Sequence, residues 1–337
     1  MKKQILILAL LLPLLAGCTA KQPEPLPCTP GEAQRLVVYT SHKEEVYTPI
    51  IREFEERTGI WVDVVSGGTN ELLQRIQQEA DAPKADVMFG GGVESLESYQ
   101  DCFSPYICRE AAGISEQFQA ESGYWTPFSA LPVVLVYNTK LVAPESLTSW
   151  KDLESPAFRG KIAFADPQIS GSSYTALVTW LQTGGGMEDS LTRLCTALDG
   201  KQLDSSGAVL TAVADGSALV GITLEETALQ HIAAGEDIAL VYPSDGTSCV
   251  PDGSALVKGA PHGDNARLFL DFTVSTDVQS MVGQRFCRRT VRADIPADPS
   301  LPPLSTLNVV SYDVEWASQN RDRLLSEWSF LLGEVPL

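Results

Sequence analysis

The sequence predicts an α/β protein folded as two lobes around a ligand cleft. Strand-like and helix-like segments alternate, as from Leu36–Tyr39 through Glu44–Arg57 to Trp61–Val65. The same alternation returns over residues 136–250, after a strand-rich crossing near 125–139. Several strands end in small polar or glycine turns that open helices, and ligands of open α/β sheets bind at such strand ends.

The length of the chain allows two domains, each with its own core. It has 337 residues, 44% of them hydrophobic and 20% charged, which is a globular composition. We expect the first lobe at 35–132 and 251–337 and the second at 133–250, with two crossover segments between them.

The first residues have the three parts of an export signal. Met1–Lys3 is basic, Gln4–Leu15 is almost entirely apolar, and Leu15-Ala-Gly-Cys18 follows at once. The apolar run is too short to span a bilayer comfortably. Its end resembles the bacterial lipobox, which implies a signal peptide at 1–17 and a lipid on Cys18. The proline-containing residues 18–34 would then form a tether.

Composition argues against nucleic acid as a partner. The formal net charge is −19, and removal of the signal peptide would take away Lys2 and Lys3 but no acid. A chain this acidic is repelled by nucleic acid and by anionic headgroups. The membrane would therefore be held through the lipid at Cys18.

Apart from Cys18, the chain has an even number of cysteines, as is common in exported proteins. Cys102 and Cys108 are close enough in sequence for a local disulfide. Their spacing is not that of a zinc site, and the chain has only three histidines, so we expect neither a metal nor a cofactor. The other pairings stay open among Cys28, Cys195, Cys249 and Cys287.

The stretch Phe164–Thr175 carries the main candidate site. An apolar strand ends there, Asp166-Pro167 turns the chain, and Ser170–Ser173 open a helix. The first amides of a helix are unpaired and lie at its positive end, so they attract phosphate, phosphonate or carboxylate groups. The alternative is a serine N-cap that binds nothing. Comparable openings at Ser66–Asn70, Gly90–Gly92 and Ser205–Gly207 favour binding.

Several segments together resemble the type II periplasmic solute-binding proteins of ABC importers. The resemblance extends from Leu36 to about Val282, and it is closest to the branch that includes ferric-ion, 2-aminoethylphosphonate and sugar-phosphate binders. It implies an extracytoplasmic monomer that closes around a small solute and works with an ABC permease and its ATPase. The segments that carry it are Val38–Glu45, Phe54–Ile60, Ala85–Gly91, Val136–Leu141 and Asp166–Thr175.

Within that branch, the chain is most similar to binders of phosphorylated solutes. The matching segments are Ser170–Thr175, Ser205–Gly207 and Pro243–Gly246. The resemblance implies that serines and glycines hold the anion, and that carboxylates face hydroxyls or an amine. The candidate ligand-binding residues are Ser41, His42, Gly91, Gly92, Ser170, Gly171, Ser172, Ser173, Ser206, Thr223, Glu225, Glu226 and Asp245.

Ferric iron is the second candidate ligand. Ferric binders carry adjacent tyrosines where this chain has Thr223–Glu226, although His42 lies near the position of their histidine ligand. The sugar-phosphate pattern is also incomplete, because Glu226-Thr227 replaces a His-Asp pair. Glu225 and Glu226 have a structural alternative as acids favoured by a helix N-terminus.

The sequence also bears on two other classes of function, an enzyme and a receptor subunit. None of His42, His231 and His262 lies in a recognisable triad setting, so the sequence does not indicate an enzyme. A receptor subunit that signals to a membrane kinase would bind its solute by the same physics. We therefore expect a lipid-anchored extracytoplasmic binding protein for a small anionic solute.

Overall fold

The computed structural model describes residues 30–120, 122–183 and 187–333. The expected signal peptide, Cys18 and most of the tether lie outside these residues. Of the tether, Glu32–Gln34 form one 3-10 turn. None of the helices in the described part of the chain has the length and apolar character needed to cross a membrane.

Helices and strands alternate along most of the chain, as the sequence predicts. The strands are β1 (Arg35–Thr40), β2 (Trp61–Ser66), β3 (Val87–Gly92), β4 (Phe103–Ser104), β5 (Thr126–Asn138), β6 (Ile162–Ala163), β7 (Val220–Leu224), β8 (Ile238–Val241), β9 (Cys249–Val257) and β10 (Arg289–Thr290). The helices are α1 (Glu44–Thr58), α2 (Thr69–Gln78), α3 (Val93–Ser98), α4 (Gly171–Thr183), α5 (Met187–Leu198), α6 (Ser206–Ala214), α7 (Glu225–Ala233), α8 (Gly263–Thr273), α9 (Thr276–Phe286), α10 (Val314–Gln319) and α11 (Arg321–Leu332).

The first lobe is built on parallel strands. β1 pairs in parallel with both β2 and β3, and β9 then adds to β3 in the antiparallel direction. Helix α1 covers this sheet because Val46, Ile50 and Phe54 recur on one face and are fully buried. The helix ends at Gly59, whose φ of 68° is the left-handed conformation that glycine adopts without strain.

Strand β5 belongs to both lobes. Its residues up to Pro132 pair with β9 in the first lobe, whereas its residues from Val133 onward pair with β7 and β8 in the second. All 13 of its residues are buried. Val133 also contacts the segment that returns to the first lobe, because its amide donates to the Ser248 carbonyl at 3.1 Å.

The C-terminal helices differ from the expected assignment of 251–337 to the first lobe. Helix α11 packs on α5, and its Leu324 and Trp328 are fully buried in the core of the second lobe. Helix α10 contacts α3 of the first lobe. The C-terminal tail therefore packs on both lobes, with α10 on the first and α11 on the second. These two helices form a third connection between the lobes.

The expected disulfide between Cys102 and Cys108 is not formed, and both residues are free thiols. The strand β4 between them pairs with β9, which fixes the course of the segment. Cys102 packs with the cluster around Tyr39, whereas Cys108 is buried with Ile114. Separate packing environments thus keep the two sulfurs apart.

Candidate ligand-binding cleft

A cavity of about 210 Å³ lies between the two lobes. Its hinge end is formed by the crossing strands through Leu131, Val250 and Pro251, and the turns that open helices line its sides. The lining residues are Ser41, His42, Lys43, Gly68, Thr69, Gly91, Gly92, Leu131, Ile169, Ser170, Gly171, Ser172, Thr175, Asp204, Ser205, Ser206, Thr223, Leu224, Glu226, Thr227, Val250, Pro251, Asp252 and Arg288.

The N-terminus of α4 contributes the serines that the sequence singled out. Ser170 precedes the helix, and its Oγ accepts a hydrogen bond from the amide of Ser173 at 3.3 Å. Ser170 and Ser172 also share a hydrogen bond of 3.1 Å between their hydroxyls. Gly171 and Ser172 occupy the first helical positions, where no carbonyl of the same helix can pair with their amides. Ser170 is therefore both a cap and a cleft residue.

Two more helices of the second lobe begin at the cleft. Ser205 caps α6, since its Oγ accepts from the amide of Ala208 at 3.3 Å, and Ser206 is the first helical residue. Thr223 is the last residue but one of β7, and Glu226 lies in the first turn of α7. The positive ends of α4, α6 and α7 thus converge on one cavity.

The first lobe presents mostly small residues to the N-termini of α4, α6 and α7. Ser41 and His42 precede α1, while Gly91 and Gly92 end β3. Gly91 has a φ of 108°, and a Cβ there would lie 2.8 Å from Cγ2 of Thr69. A side chain is therefore excluded at Gly91 by both backbone conformation and space.

Arg288 is the buried cation of the cleft. Its Nη1 donates to Asp252 Oδ2 at 2.7 Å and its Nη2 to Glu226 Oε1 at 3.1 Å, while its Nε has no partner among the described residues. Asp252 also accepts from the amide and hydroxyl of Ser129, both at 2.8 Å. Burial raises the pKa of Asp252, although Arg288 opposes that shift. Two carboxylates thus flank one guanidinium at the hinge end.

His42 is buried beside Asp252 and Arg288. Its ring packs edge-on against Phe89 at 4.4 Å and tilted against Phe128 at 5.0 Å, and its Nδ1 lies 3.7 Å from Asp252 Oδ2. Burial, and then the charge of Arg288, hold the pKa of His42 well below its usual value. His42 is therefore neutral near pH 7.

Three of the expected site residues lie outside the cavity lining. Ser173 is buried behind Ser170, to which its hydroxyl donates at 3.1 Å. Both oxygens of Glu225 bind Arg289, at 2.7 and 2.8 Å, and one also accepts from Tyr242. Asp245 accepts from the amides that begin the turn Trp150–Glu154, so it caps that turn.

The other ten expected residues line the cavity. Four charged residues of the lining, Lys43, Asp204, Asp252 and Arg288, were not predicted from the sequence. One signal was available for Arg288, because Arg288-Arg289 is an adjacent basic pair in an acidic chain. Its partners lie 36 and 62 residues away, so the network itself could not be predicted from the sequence.

The size and the lining of the cavity suit a small polar molecule. Unpaired helix amides and hydroxyls suit an anionic group, and the carboxylates of Glu226 and Asp252 accept hydrogen bonds from hydroxyls or an ammonium. Two lobes, two crossing strands and a polar cleft together define the type II class of periplasmic solute-binding proteins.

A family model described as a bacterial extracellular solute-binding protein matches residues 36–285. The chain belongs to this family. It is accordingly an extracytoplasmic solute-binding protein of an ABC importer and not an enzyme, as the sequence analysis expected.

Curated relatives of similar length carry different names. Iron uptake protein A1 of Synechocystis sp. is 26% identical over 306 residues, which cover 86% of this chain and 84% of the relative. A putative 2-aminoethylphosphonate-binding periplasmic protein of Salmonella typhi is 22% identical over 262 residues, covering 73% of this chain and 74% of the relative.

Among solved structures, the periplasmic binding protein AfuA from Actinobacillus pleuropneumoniae, with exogenous fructose-6-phosphate bound, is similar with a TM-score of 0.83. The two sequences are 25% identical, and the match covers 89% of this chain and 99% of that structure.

Proposed function

We propose that the protein is lipid-anchored through Cys18 and captures a small phosphorylated or phosphonate solute by closing its two lobes. The observation that carries this proposal is the convergence of helix N-termini and serine hydroxyls from the second lobe on one cavity that the first lobe covers. A volume of about 210 Å³ is below the ~300–1,000 Å³ of pockets for drug-sized ligands and suits a small solute.

The two ends of the cavity favour a solute with two kinds of polar group. Ser170–Ser172 and Ser205–Ser206 would hold the anion with amides and hydroxyls. Glu226 and Asp252, with Arg288 between them, would meet hydroxyls or an amine at the hinge end. A sugar phosphate and an aminoalkyl phosphonate both have this polarity. The AfuA structure contains a sugar phosphate, fructose 6-phosphate, and the Salmonella relative is named for an aminoalkyl phosphonate.

Ferric iron is the second candidate because an iron uptake protein is among the relatives. The described lining residues supply three carboxylates, of which Glu226 and Asp252 already share Arg288, together with a neutral His42 and no tyrosine. Hard phenolate oxygens, which suit a hard cation, are therefore lacking from this part of the cleft. The phosphorylated solute ranks first for that reason.

A thermal-shift panel tests the ligand class. It comprises fructose 6-phosphate, 2-aminoethylphosphonate, ferric citrate, and fructose as the uncharged control. A ligand that binds only the folded state raises the melting temperature by mass action. We expect a rise with a phosphorylated or phosphonate compound and none with fructose. A rise with the ferric salt alone would overturn the ranking.

Substitution of Ser172 tests the anion end. Ser172→Asp places a carboxylate where we expect the phosphoryl group, so repulsion should weaken affinity for the compound found in the panel by at least about 100-fold. Ser146→Asp, at an exposed position of the same lobe, is the matched control. Equal affinity of the two variants would remove Ser172 from the site.

The lipid anchor has its own test. Cys18→Ser should release the protein from the membrane fraction and abolish incorporation of labelled fatty acid, while the wild type stays bound. A wild type that takes up no fatty acid would contradict the anchor. Solute binding by the two proteins should be the same, because the expected tether precedes the folded lobes.

A further inference from the structure

We propose that Asn70 is a positioning residue that holds the two lobes together by binding the main chain of residues 167–168, without contacting the solute itself. This proposal rests on the proposed function only in taking the enclosed cavity as the place where solute binds. Asn70 lies in the first turn of α2 in the first lobe, and it is not among the cavity-lining residues.

The contacts of Asn70 cross from one lobe to the other. Its Nδ2 donates to the carbonyl of Pro167 at 3.4 Å and to the carbonyl of Gln168, and the residue is only 4% exposed. The orientation of the amide is fixed by these partners, because two carbonyls accept and only the NH₂ of asparagine donates. Asn70 therefore recognises main-chain atoms of the second lobe.

Residues 167–168, which Asn70 binds, lie just before the N-terminus of α4 at the anion end of the cleft. The amides of Gln168, Ile169 and Ser170 all donate to Asp166, at 2.8, 3.1 and 2.8 Å. The turn is therefore stiff, and its position sets the position of the α4 N-terminus that follows. A contact at 167–168 is thus transmitted to the serines that line the cavity.

Two further cross-lobe contacts lie on the same side of the cleft. A Cβ at Gly171 would lie 2.9 Å from the Thr69 Oγ1, so the first turns of α2 and α4 meet closely. The hydroxyl of Thr175 donates to the buried carboxylate of Glu94. In the crossing strands, by contrast, the lobes are joined by continuous backbone. Separation of the lobes would break the contacts of Asn70, Thr69 and Glu94.

This placement predicts how Asn70 acts. Loss of its hydrogen bonds would favour the open state, so a trapped solute would leave faster. The groups that meet the solute would remain in place, and the order of preference among solutes would not change. A hydrogen bond of this type changes such an equilibrium by about five- to tenfold.

Native-state hydrogen exchange of the solute-free protein is the deciding experiment. In Asn70→Ala we expect the amides of residues 168–175 to exchange about five- to tenfold faster than in the wild type. Asn70→Asp should have a larger effect, since its carboxylate would repel both carbonyls. Gln74→Ala, at an exposed position of the same helix, is the matched control and should not change exchange there.

Residues 133–137 of β5 report whether the fold survives, because they are fully or almost fully buried in the core. Unchanged exchange in β5, with faster exchange at residues 168–175, supports the proposal. Unchanged exchange at residues 168–175 in both Asn70 variants would overturn it, and so would equal acceleration in β5.

A second measurement uses fructose 6-phosphate as the probe. We expect its dissociation rate from Asn70→Ala to rise by the same factor as the exchange rate, and its association rate to stay within about threefold. If the probe does not bind the wild type, the ligand class proposed above fails, while hydrogen exchange still decides the role of Asn70. Normal dissociation from a variant with fast exchange would show that Asn70 does not control solute release.

Discussion

Arg288 shows how one side chain sets the character of the cleft. It is buried between Asp252 and Glu226, which themselves come from the two different lobes. Two carboxylates with one guanidinium leave this end of the cavity negative, although helix N-termini make the other end positive. The cleft is therefore polarised along its length. Such a cavity discriminates by the polarity of the solute as well as by its size.

Removal of Arg288 should cost stability. Arg288→Met leaves two buried carboxylates without their cation, and loss of one partner of a buried ion pair costs about 3–5 kcal/mol. We expect the free energy of unfolding in urea to fall by roughly 3 kcal/mol, and to recover in part when Glu226→Gln and Asp252→Asn are added.

Arg57→Met is the matched control for that measurement. Arg57 also lies between two carboxylates, Glu53 and Asp277, but it is on the surface, with a side chain 44% exposed. Exposed pairs contribute only about 0–1 kcal/mol. Similar losses from both variants would show that burial does not matter at Arg288.

At the same scale, the residues that the sequence revealed are those with local signals. Ser170 and Ser205 were predictable because a serine before an apolar helix is a capping pattern that spans three or four residues. Asp245 has an equally local signal in Pro243–Gly246, yet its carboxylate caps the turn that begins at Trp150, 95 residues away. A local motif shows that a residue lies at the start of a helix or in a turn. It does not show which residues from distant parts of the chain will contact that residue in the fold.

At the scale of the element, helix α4 must begin with a residue that has no side chain. Its first residue, Gly171, has an unstrained backbone, so the constraint comes from Thr69 of the other lobe rather than from the helix. The periodicity of α4 was readable in the sequence, whereas this reason for its glycine was not, because it depends on the closure of two lobes.

Gly171→Ala should therefore hinder closure. Its Cβ would lie 2.9 Å from Thr69 Oγ1, and overpacking of this kind costs about 1–3 kcal/mol, or about 5- to 150-fold in affinity. Gly207→Ala is the control, since its Cβ would lie 4.0 Å from the nearest atom, the Oγ of Ser205. Calorimetry with the solute from the panel measures the change.

The double variant Gly171→Ala with Thr69→Ala identifies the cause. It removes the hydroxyl and methyl groups that the new Cβ would meet, so we expect it to regain part of the lost affinity. If the double variant binds no better than Gly171→Ala alone, the effect does not arise from the contact between the lobes.

At the scale of the whole molecule, histidine titration should shape the dependence of stability on pH. Burial alone lowers the pKa of His262, but its hydrogen bonds to Glu32 and Asp86 outweigh burial and raise it. Because the native pKa is above the unfolded value of about 6.5, His262 contributes its full stability below that pH. The contribution is lost as pH rises through the native pKa.

His262→Gln should remove this part of the pH dependence. We expect the difference in unfolding free energy between wild type and variant to be largest at acidic pH and to shrink above about pH 6.5. Urea unfolding at a series of pH values measures it. A difference that stayed constant, or grew as pH rises, would contradict the assignment.

The fold class and the existence of two lobes were predictable because the alternation of strands and helices is written along the whole chain. The predicted disulfide at Cys102 and Cys108 was wrong, since proximity in sequence does not decide which hydrophobic cluster each thiol joins. The packing of α11 on the second lobe could not be predicted from the sequence either, because an apolar helix face does not specify the surface on which it packs.

The position of β9 has a consequence for how the protein matures. In the sheet of the first lobe, β9 lies between β3 and β5, so the lobe that begins earliest in the chain is completed late. A chain that emerges N-terminus first exposes the unpaired edges of β3 and of the first half of β5 until residues 249–257 arrive. During that interval a holding chaperone should bind this half of the nascent chain in preference to the other.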